Sequence, residues 1–505
     1  MRNILIHYLK LIKGLSSQSR IISYSFKRHA AKAFLIHADE NRVYTFSESQ
    51  ELAKKVIGLF SEKGLAPGDI LAFSAPNCPE YFFVRAACHY CGIIFLGLPA
   101  NLSEEAITHF LAISKAKIFF YERRADLQID GIKAKAQGAD CVEINSRLFT
   151  EITSQEAVPR FTRHSLRALS HTATLNVSSS TTQKIPKIVQ LTDNNWVESL
   201  YGYLRNSEAP LSKENIFLCT VPFLTAGSTT FLPSLLAGLT HIMVKEDATA
   251  EGLVTHIKRY NVNRLYITPS RLLELLEWCK ANDERLTSLK SIITGTEKFP
   301  ALRLKEAINF FGPIITVGYG MVEALPPIAM LSPKDYHKLE SAGRIARGVK
   351  VKITDDGRIA LKCATVAGGY LDNADESTQC FRDGWFYSSD YGYIDTDNYL
   401  YILGRKEEML TESPRRIFAK EVEDKLYTLT FINRCAALAK NAEVYIFVSL
   451  REAMESEQAK NGILRVFEEN FKNTLSLKEI IVKENLPINA FGKLDRRKMR
   501  EEMEN

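Results

Sequence analysis

Between Val177 and Lys187 the chain reads VSSSTTQKIPK, a run of hydroxyl residues that ends in a lysine. A loop of this kind offers backbone N–H groups, hydroxyl donors and a cation to a polyphosphate. On composition alone it reads as a solvated loop. A second lysine, Lys493, lies in FGKLDRR, where Arg496, Arg497 and Lys498 stand close by and a solvated basic tail is the plain reading. Cys88 and Cys91 form a CxxC with His89 between them. No second ligand pair stands at zinc spacing, and the segment has the apolar make-up of a helix, so metal or redox chemistry is not assigned to it. Most of the nine cysteines, such as Cys219 and Cys435, sit in apolar stretches, as buried thiols in a reducing compartment do.

The elements that must position these residues alternate in type. Ser47 and Gln50 fit a capping box, with Leu52, Val56, Leu59 and Phe60 at helical spacing and an end at Gly64 before Pro67-Gly68. Ile70 to Ser74 reads as a strand, Tyr81 to Cys91 as a helix and Ile93 to Leu98 as a strand. The alternation recurs over Asn215 to Val244 and Arg264 to Phe311, which indicates an α/β layered fold. From Val349 the pattern changes to short strands between turns: Val351 to Ile353, Arg358 to Lys362, Trp385 to Tyr387 and Tyr399 to Leu403. Beyond Gly404 come a charged helix (Lys420 to Leu426), a strand (Val444 to Leu450), a helix near Leu464 to Phe471 and a basic tail. The expected fold is a large N-terminal layered α/β domain with a β-rich subdomain, residues 1–404, and a small α+β C-terminal domain, residues 405–505.

Composition narrows the function classes. The 505 residues are 46% hydrophobic and 25% charged, more than one core requires. The net charge of +6 comes from 65 basic and 59 acidic residues without a basic block, which argues against a nucleic-acid surface. The longest apolar run, near Gly92 to Leu98, is far short of the roughly 20 residues a bilayer span needs, so no transmembrane segment is expected. The opening MRNILIHYLKLIKGL places Ile4, Leu5, Leu9, Ile12 and Leu15 near one helical face without a signal-peptide cleavage pattern. It is expected to pack as a terminal helix of a cytoplasmic protein.

Order along the chain turns the weak signals into a pattern. VSSSTTQKIPK resembles the phosphate loop of the adenylate-forming superfamily of acyl-CoA synthetases, peptide-synthetase adenylation domains and luciferases, usually Thr-Ser-Gly-Ser-Thr-Gly-x-Pro-Lys. GYGMVE (318–323) resembles its Tyr-Gly-x-Thr-Glu, and DGWFYSSD (383–390) its Gly-Trp-Phe-x-Thr-Gly-Asp. LGRKEEML (403–410) resembles the Gly-Arg-x-x-Asp hinge, and FGKLDRR (491–497) the C-terminal Gly-Lys-x-x-Arg. YTFSE, GLAPGD and APNCPEYF, at 44–48, 64–69 and 75–82, resemble the family's first blocks.

The resemblance implies ATP-dependent activation of a small-molecule carboxylic acid, fatty or aryl, as an acyl-AMP. The acyl group would then pass to the thiol of coenzyme A or of an acyl carrier protein's phosphopantetheine. It implies that Ser178, Ser180, Thr181 and Lys187 hold the β- and γ-phosphates and that Glu323 binds Mg²⁺. Asp390 would take the ribose hydroxyls with Arg405 in support, while Gly318, Tyr319 and Gly320, with the strand and turn Thr294, Gly295, Thr296 and Glu297, would flank the adenine. Lys493 would bridge the attacking carboxylate and the nucleotide, and the C-terminal domain would rotate about the hinge for thiol transfer.

Several positions depart from the family pattern. Ser179 and Thr182 replace phosphate-loop glycines, Val322 replaces the threonine before the metal-binding glutamate, and Ser389 replaces the glycine before Asp390. Glu408 takes the hinge position, Thr225 stands where many relatives have histidine, and TESPRR (411–416) replaces a Gly-Gly-Glu-Asn-like turn. These changes motivate two rivals: a non-catalytic relative that holds nucleotide or acyl ligand, and an enzyme that stops at the acyl-adenylate. The segments expected to line the acid pocket, Phe223 to Ser234 and Gly295 to Ala324, read as mainly apolar or small and offer no clear cation for a second carboxylate.

Overall fold

In the computed structural model, the described residues are 15–135, 138–144, 146–156, 170–178, 186–245, 248–451, 454–489 and 493–503. The terminal-helix expectation for residues 1–14 lies outside them, as do Ser180 and Thr181.

Two sheets organise the large domain. The first runs Asp140–Glu143, Ile118–Tyr121, Ile70–Ser74, Ile94–Gly97 and Thr172–Val177 in parallel, then Ile188–Thr192 antiparallel. The second is built on the parallel strands Thr240–Met243, Ile216–Cys219, Arg264–Tyr266, Ser291–Gly295 and Ile315–Met321. Helices Phe46–Glu62, Pro79–Cys91, Asp193–Asn206 and Phe231–Ala237 supply the core that joins the sheets, where Leu71 and Phe73 of one meet Phe217 and Cys219 of the other. The far face of the second sheet carries Ala250–Arg259, Pro269–Ala281 and Ala301–Phe311. Parallel strands covered on both faces give the near-continuous apolar runs that the sequence displays.

Local chemistry sets the element ends. The first long helix starts two residues earlier than expected. Its capping box is Thr45 with Glu48, the Glu48 backbone N–H donating to Thr45 Oγ1 at 3.1 Å and the Thr45 N–H to Glu48 Oε2 at 2.7 Å, so Ser47 and Gln50 lie inside the helix. The CxxC segment is the helix Pro79–Cys91, which ends where Gly92 turns left-handed at φ 68°.

The turn-rich strands after Val349 form as expected but do not make a separate sheet. Lys350–Ile353, Arg358–Lys362, Trp385–Ile394 and Tyr399–Arg405 pair antiparallel, and Gly343–Ile345 links them to Ala324–Leu331 of the second sheet. The C-terminal domain has its own core around Val422, Ile446 and Phe467. There Ile432–Lys440, Glu443–Leu450 and Ser476–Val482 form a three-stranded sheet packed by Ala419–Leu426 and Ser456–Phe471.

Candidate active site

Antiparallel register brings three of the expected residues together. Strands Trp385–Ile394 and Tyr399–Arg405 place Asp390 opposite Arg405. Asp390, only 6% exposed, accepts from Arg405 Nε at 3.1 Å on one oxygen and from the Tyr319 hydroxyl at 2.6 Å on the other. The Asp390 carboxylate holds the Arg405 guanidinium above its ordinary pKa, and burial followed by the same carboxylate pushes the Tyr319 hydroxyl up. The hinge glutamate closes this corner: Glu408 accepts from the Arg405 backbone N–H at 3.1 Å and pairs with Arg496 at 3.3 Å.

A second wall comes from neighbouring parallel strands, in which Thr294 stands beside Val317 and Gly295 beside Gly318. A Cβ on Gly295 would lie 2.5 Å from the Gly318 carbonyl oxygen, and one on Gly320 2.6 Å from Pro326 Cβ, so no side chain fits at either place. Thr294 is 1% exposed, and its hydroxyl has no hydrogen-bond partner among the described residues. Thr296 follows with φ at 76°. Glu297 is occupied structurally, accepting from the Ser270 N–H at 2.9 Å and hydroxyl at 2.6 Å at the start of the helix Pro269–Ala281. An orphan hydroxyl beside glycine backbone is a fitting surface for a planar, hydrogen-bonding ligand.

The ends of the hydroxyl-rich loop are pinned across the hairpin it connects. Ser178 N–H donates to the Lys187 carbonyl at 2.8 Å, and Lys187 N–H returns a bond to Ser178 Oγ at 3.1 Å. The Lys187 ammonium pairs with Glu376 and lies 4.9 Å from the centre of the Tyr370 ring. The Tyr370 hydroxyl donates to Glu323 at 3.3 Å, and burial raises the Glu323 carboxyl above its usual range. Tyr370 and Glu376 therefore tie the lysine to the glutamate. Sequence reasoning missed both, since neither falls in a recognised motif.

Lys493 reaches the same cavity from the C-terminal domain. Its backbone is fixed against Asn489, whose N–H donates to the Lys493 carbonyl at 2.8 Å. Desolvation, then the Arg405 charge, pushes its ammonium down to about 8 against the opposing pull of Glu297, Asp390 and Glu408. The two domains meet through ion pairs: Lys298 with Asp424 at 2.7 Å, Arg434 with Glu274 at 2.8 Å, and Arg451 with Glu277 at 3.4 Å.

Ser178, Lys187, Thr294, Thr296, Glu297, Gly318, Tyr319, Gly320, Glu323, Asp390, Arg405 and Lys493 all line one cavity of about 720 Å³. Gly295 lies just behind it, packed on Gly318. Tyr203, Phe217, Thr225, Pro233 and Tyr266 line the same cavity. Against the expectation that those two segments offer no clear cation, Lys298 of Gly295–Ala324 lines the cavity, paired with Asp424, and Arg264 lines it too. Arg264 lies outside both segments from which that expectation was drawn; the signal available was a charge at the head of the apolar strand RLYIT.

The donors suit a single hard cation held mostly by a ligand's oxygens. Glu323 is a half-buried carboxylate facing the cavity, and no group of three or more His, Cys, Asp or Glu side chains among the described residues forms a metal cage. Mg²⁺ is commonly bound in this way, through one or two carboxylates with phosphates and water.

Comparison with known proteins agrees with this geometry. A 2-succinylbenzoate–CoA ligase of Listeria innocua is 25% identical over 469 residues, covering 92% of this chain and 96% of the relative. An anthranilate CoA ligase, AuaEII, solved with anthranoyl-AMP, superimposes with a TM-score of 0.88 at 20% identity over 97% of each chain. The o-succinylbenzoate coenzyme A synthetase of Bacillus subtilis, solved with ATP and magnesium, does so at 0.81 and 21% identity, over 95% of this chain and 99% of that one. The family model described as AMP-binding enzyme matches residues 23–371, well over half the sequence, and the chain belongs to that family.

Proposed function

We propose that this chain is an AMP-forming acid–CoA ligase acting on an aryl or similarly compact carboxylic acid. The observation that carries the reading is that Lys493, Glu323 and the Tyr319–Asp390–Arg405 cluster face one cavity although they lie as far apart as 174 positions in sequence.

Asp390 presents two oxygens to the ribose hydroxyls, and its bond to Arg405 orients it. Thr294 and the Gly318–Gly320 backbone receive the adenine. Lys187 and the hydroxyl-rich loop hold the terminal phosphates. Glu323 is the protein ligand for Mg²⁺, which supplies charge neutralisation at the phosphate oxygens when bound. The acid's carboxylate oxygen attacks the α-phosphorus, the bond from that phosphorus to the β-bridging oxygen breaks, and pyrophosphate leaves. Lys493 aligns the two anions and stabilises the charge that develops between them.

In the second step the coenzyme A sulfur attacks the acyl carbon and the carbon–oxygen bond to AMP breaks. Coenzyme A is the acceptor in the names of the ligases this chain resembles. We set the domain boundary at 404/405 with Arg405 to Glu408 as the hinge: Arg405 stays on the last strand of the large sheet while the rest of the C-terminal domain turns between the two steps. No helix among the described residues is long and apolar enough to cross a membrane.

Carboxylate-dependent ATP–pyrophosphate exchange tests the reading across fatty, aryl and amino acids, with 2-succinylbenzoate included and the Lys493→Ala protein alongside. Exchange with one acid class, lost in the variant, is the expected result. Tight ATP binding without exchange from any acid would favour the non-catalytic rival, and exchange without thioester formation the rival that stops at the adenylate.

A further inference from the structure

The acid cavity contains a cation that the chemistry above does not use. Arg264 opens the strand Arg264–Tyr266 and is 4% exposed. Side chains alternate along a strand. Leu265 packs beneath the sheet with Leu218 and Ile292, whereas Arg264 and Tyr266 line the cavity. The guanidinium's hydrogen-bond partners are neutral: the Pro210 carbonyl at 3.1 Å, the Ala209 carbonyl at 3.1 Å and the Tyr203 hydroxyl at 3.2 Å. Its Nε has no hydrogen-bond partner among the described residues, and no carboxylate among them forms an ion pair with it.

A buried charge without a counter-ion is costly, and the other buried arginines among the described residues are compensated. Arg303 pairs with Glu277 and Glu306, and Arg496 with Glu423 and Glu408. Arg85 has no carboxylate, but its charge lies 4.4 Å from the ring centres of both Trp196 and Phe231. Among the described residues Arg264 has neither arrangement. Its position also matters. Arg264 stands beside Ser291 on the neighbouring strand, while Thr294 is three residues further on, about 10 Å at the rise of a strand. The two residues therefore line the same cavity at backbone positions about 10 Å apart along the sheet.

Resting on the adenylation reading, we propose that Arg264 is an anion anchor and that the acid activated here carries a second carboxylate at its far end. The reacting carboxylate then meets Lys493 while the distal one supplies the counter-charge that the Arg264 guanidinium lacks.

The test compares acids that differ only in the distal carboxylate: 2-succinylbenzoate against 4-oxo-4-phenylbutanoate, and 3-(2-carboxyphenyl)propanoate against 3-phenylpropanoate. Wild-type protein is expected to prefer the diacid of a pair by about tenfold or more in kcat/KM. Arg264→Gln keeps an amide donor for the Ala209 and Pro210 carbonyls but removes the charge. It should raise the diacid KM by about 10- to 100-fold and leave the monoacid KM within about threefold. Equal use of both acids by wild type, or an equal loss for both in Arg264→Gln, overturns the anchor and leaves Arg264 as a clamp on the 209–210 turn. Failure of every acid, mono or di, with protein that still binds ATP removes the adenylation reading instead, and the anchor with it.

Discussion

The two walls of the cavity are built in different ways. On the large domain, Asp390 is 6% exposed and is held from two sides by Tyr319 and Arg405 within one continuous sheet. On the small domain, Lys493 is carried to its place by ion pairs that water can reach. The paired side chains are 20% and 47% exposed for Arg434–Glu274 and 29% and 31% for Lys298–Asp424. Pairs this exposed are worth about 1 kcal/mol or less apiece. The first wall is suited to bind nucleotide whatever the small domain does, whereas the second is suited to arrive and leave.

Removing one residue from each wall should separate binding from chemistry. Lys493→Ala is expected to lower pyrophosphate exchange by about 10²- to 10³-fold, the range seen when a donor to developing charge is lost, with ATP affinity within a few fold of wild type. Asp390→Ala should do the reverse. It strips the ribose acceptor and leaves Arg405 and the Tyr319 hydroxyl unpaired, so calorimetry should record ATP binding weakened on the order of 10- to 100-fold. If the two variants lost affinity equally, the contrast between the walls would not stand.

The same contrast explains what was legible in the sequence. Asp390, Arg405, Glu323 and Lys493 sit in short motifs whose order along the chain identified them before any fold was known. The α/β alternation was equally readable, because strands buried on both faces are apolar and helices between them carry their own caps. What could not be read depends on contacts between distant segments. Tyr370 and Glu376 join Lys187 to Glu323 across some 190 positions, and the place of Arg264 is set by a strand order in which Ile216–Cys219 lies between its strand and Thr240–Met243, the strand before it in sequence. The capping box was misplaced by two residues, since Thr45/Glu48 and Ser47/Gln50 both fit the spacing and only the entry of the strand Arg42–Thr45 decides between them.

Acidity offers a finer test of the second wall. The ammonium form of Lys493 is the one that aligns two anions, and its pKa is pushed down to about 8 when the domains are together. A depressed lysine is charged below that value and loses its proton as pH rises through it. Exchange should therefore hold between about pH 6.5 and 7.5, halve near 8 and fall to about a tenth by pH 9. ATP binding should not follow that curve. A rate that stays flat to pH 9.5 would place Lys493 in a more solvated setting during adenylation.

The smallest expected effect is the one most specific to how the walls meet. Arg434→Ala removes a single partner of Glu274 at the edge of the interface and touches neither the ribose cluster nor Lys493. The loss of a half-exposed pair amounts to about 0.5 kcal/mol, a two- to threefold change in the fraction of molecules with the small domain docked. Pyrophosphate exchange should fall by about that factor. Thioester formation from pre-formed acyl-AMP should be unchanged or slightly faster, because leaving the adenylating arrangement becomes easier. Raising ionic strength from 0.1 to about 1 M should reproduce the effect in wild type and add little in the variant, since salt screens exposed pairs. A drop in both half-reactions together would show instead that Arg434 supports the fold of the small domain, and a drop of tenfold or more would mean the interface is far less reversible than its exposed ion pairs imply.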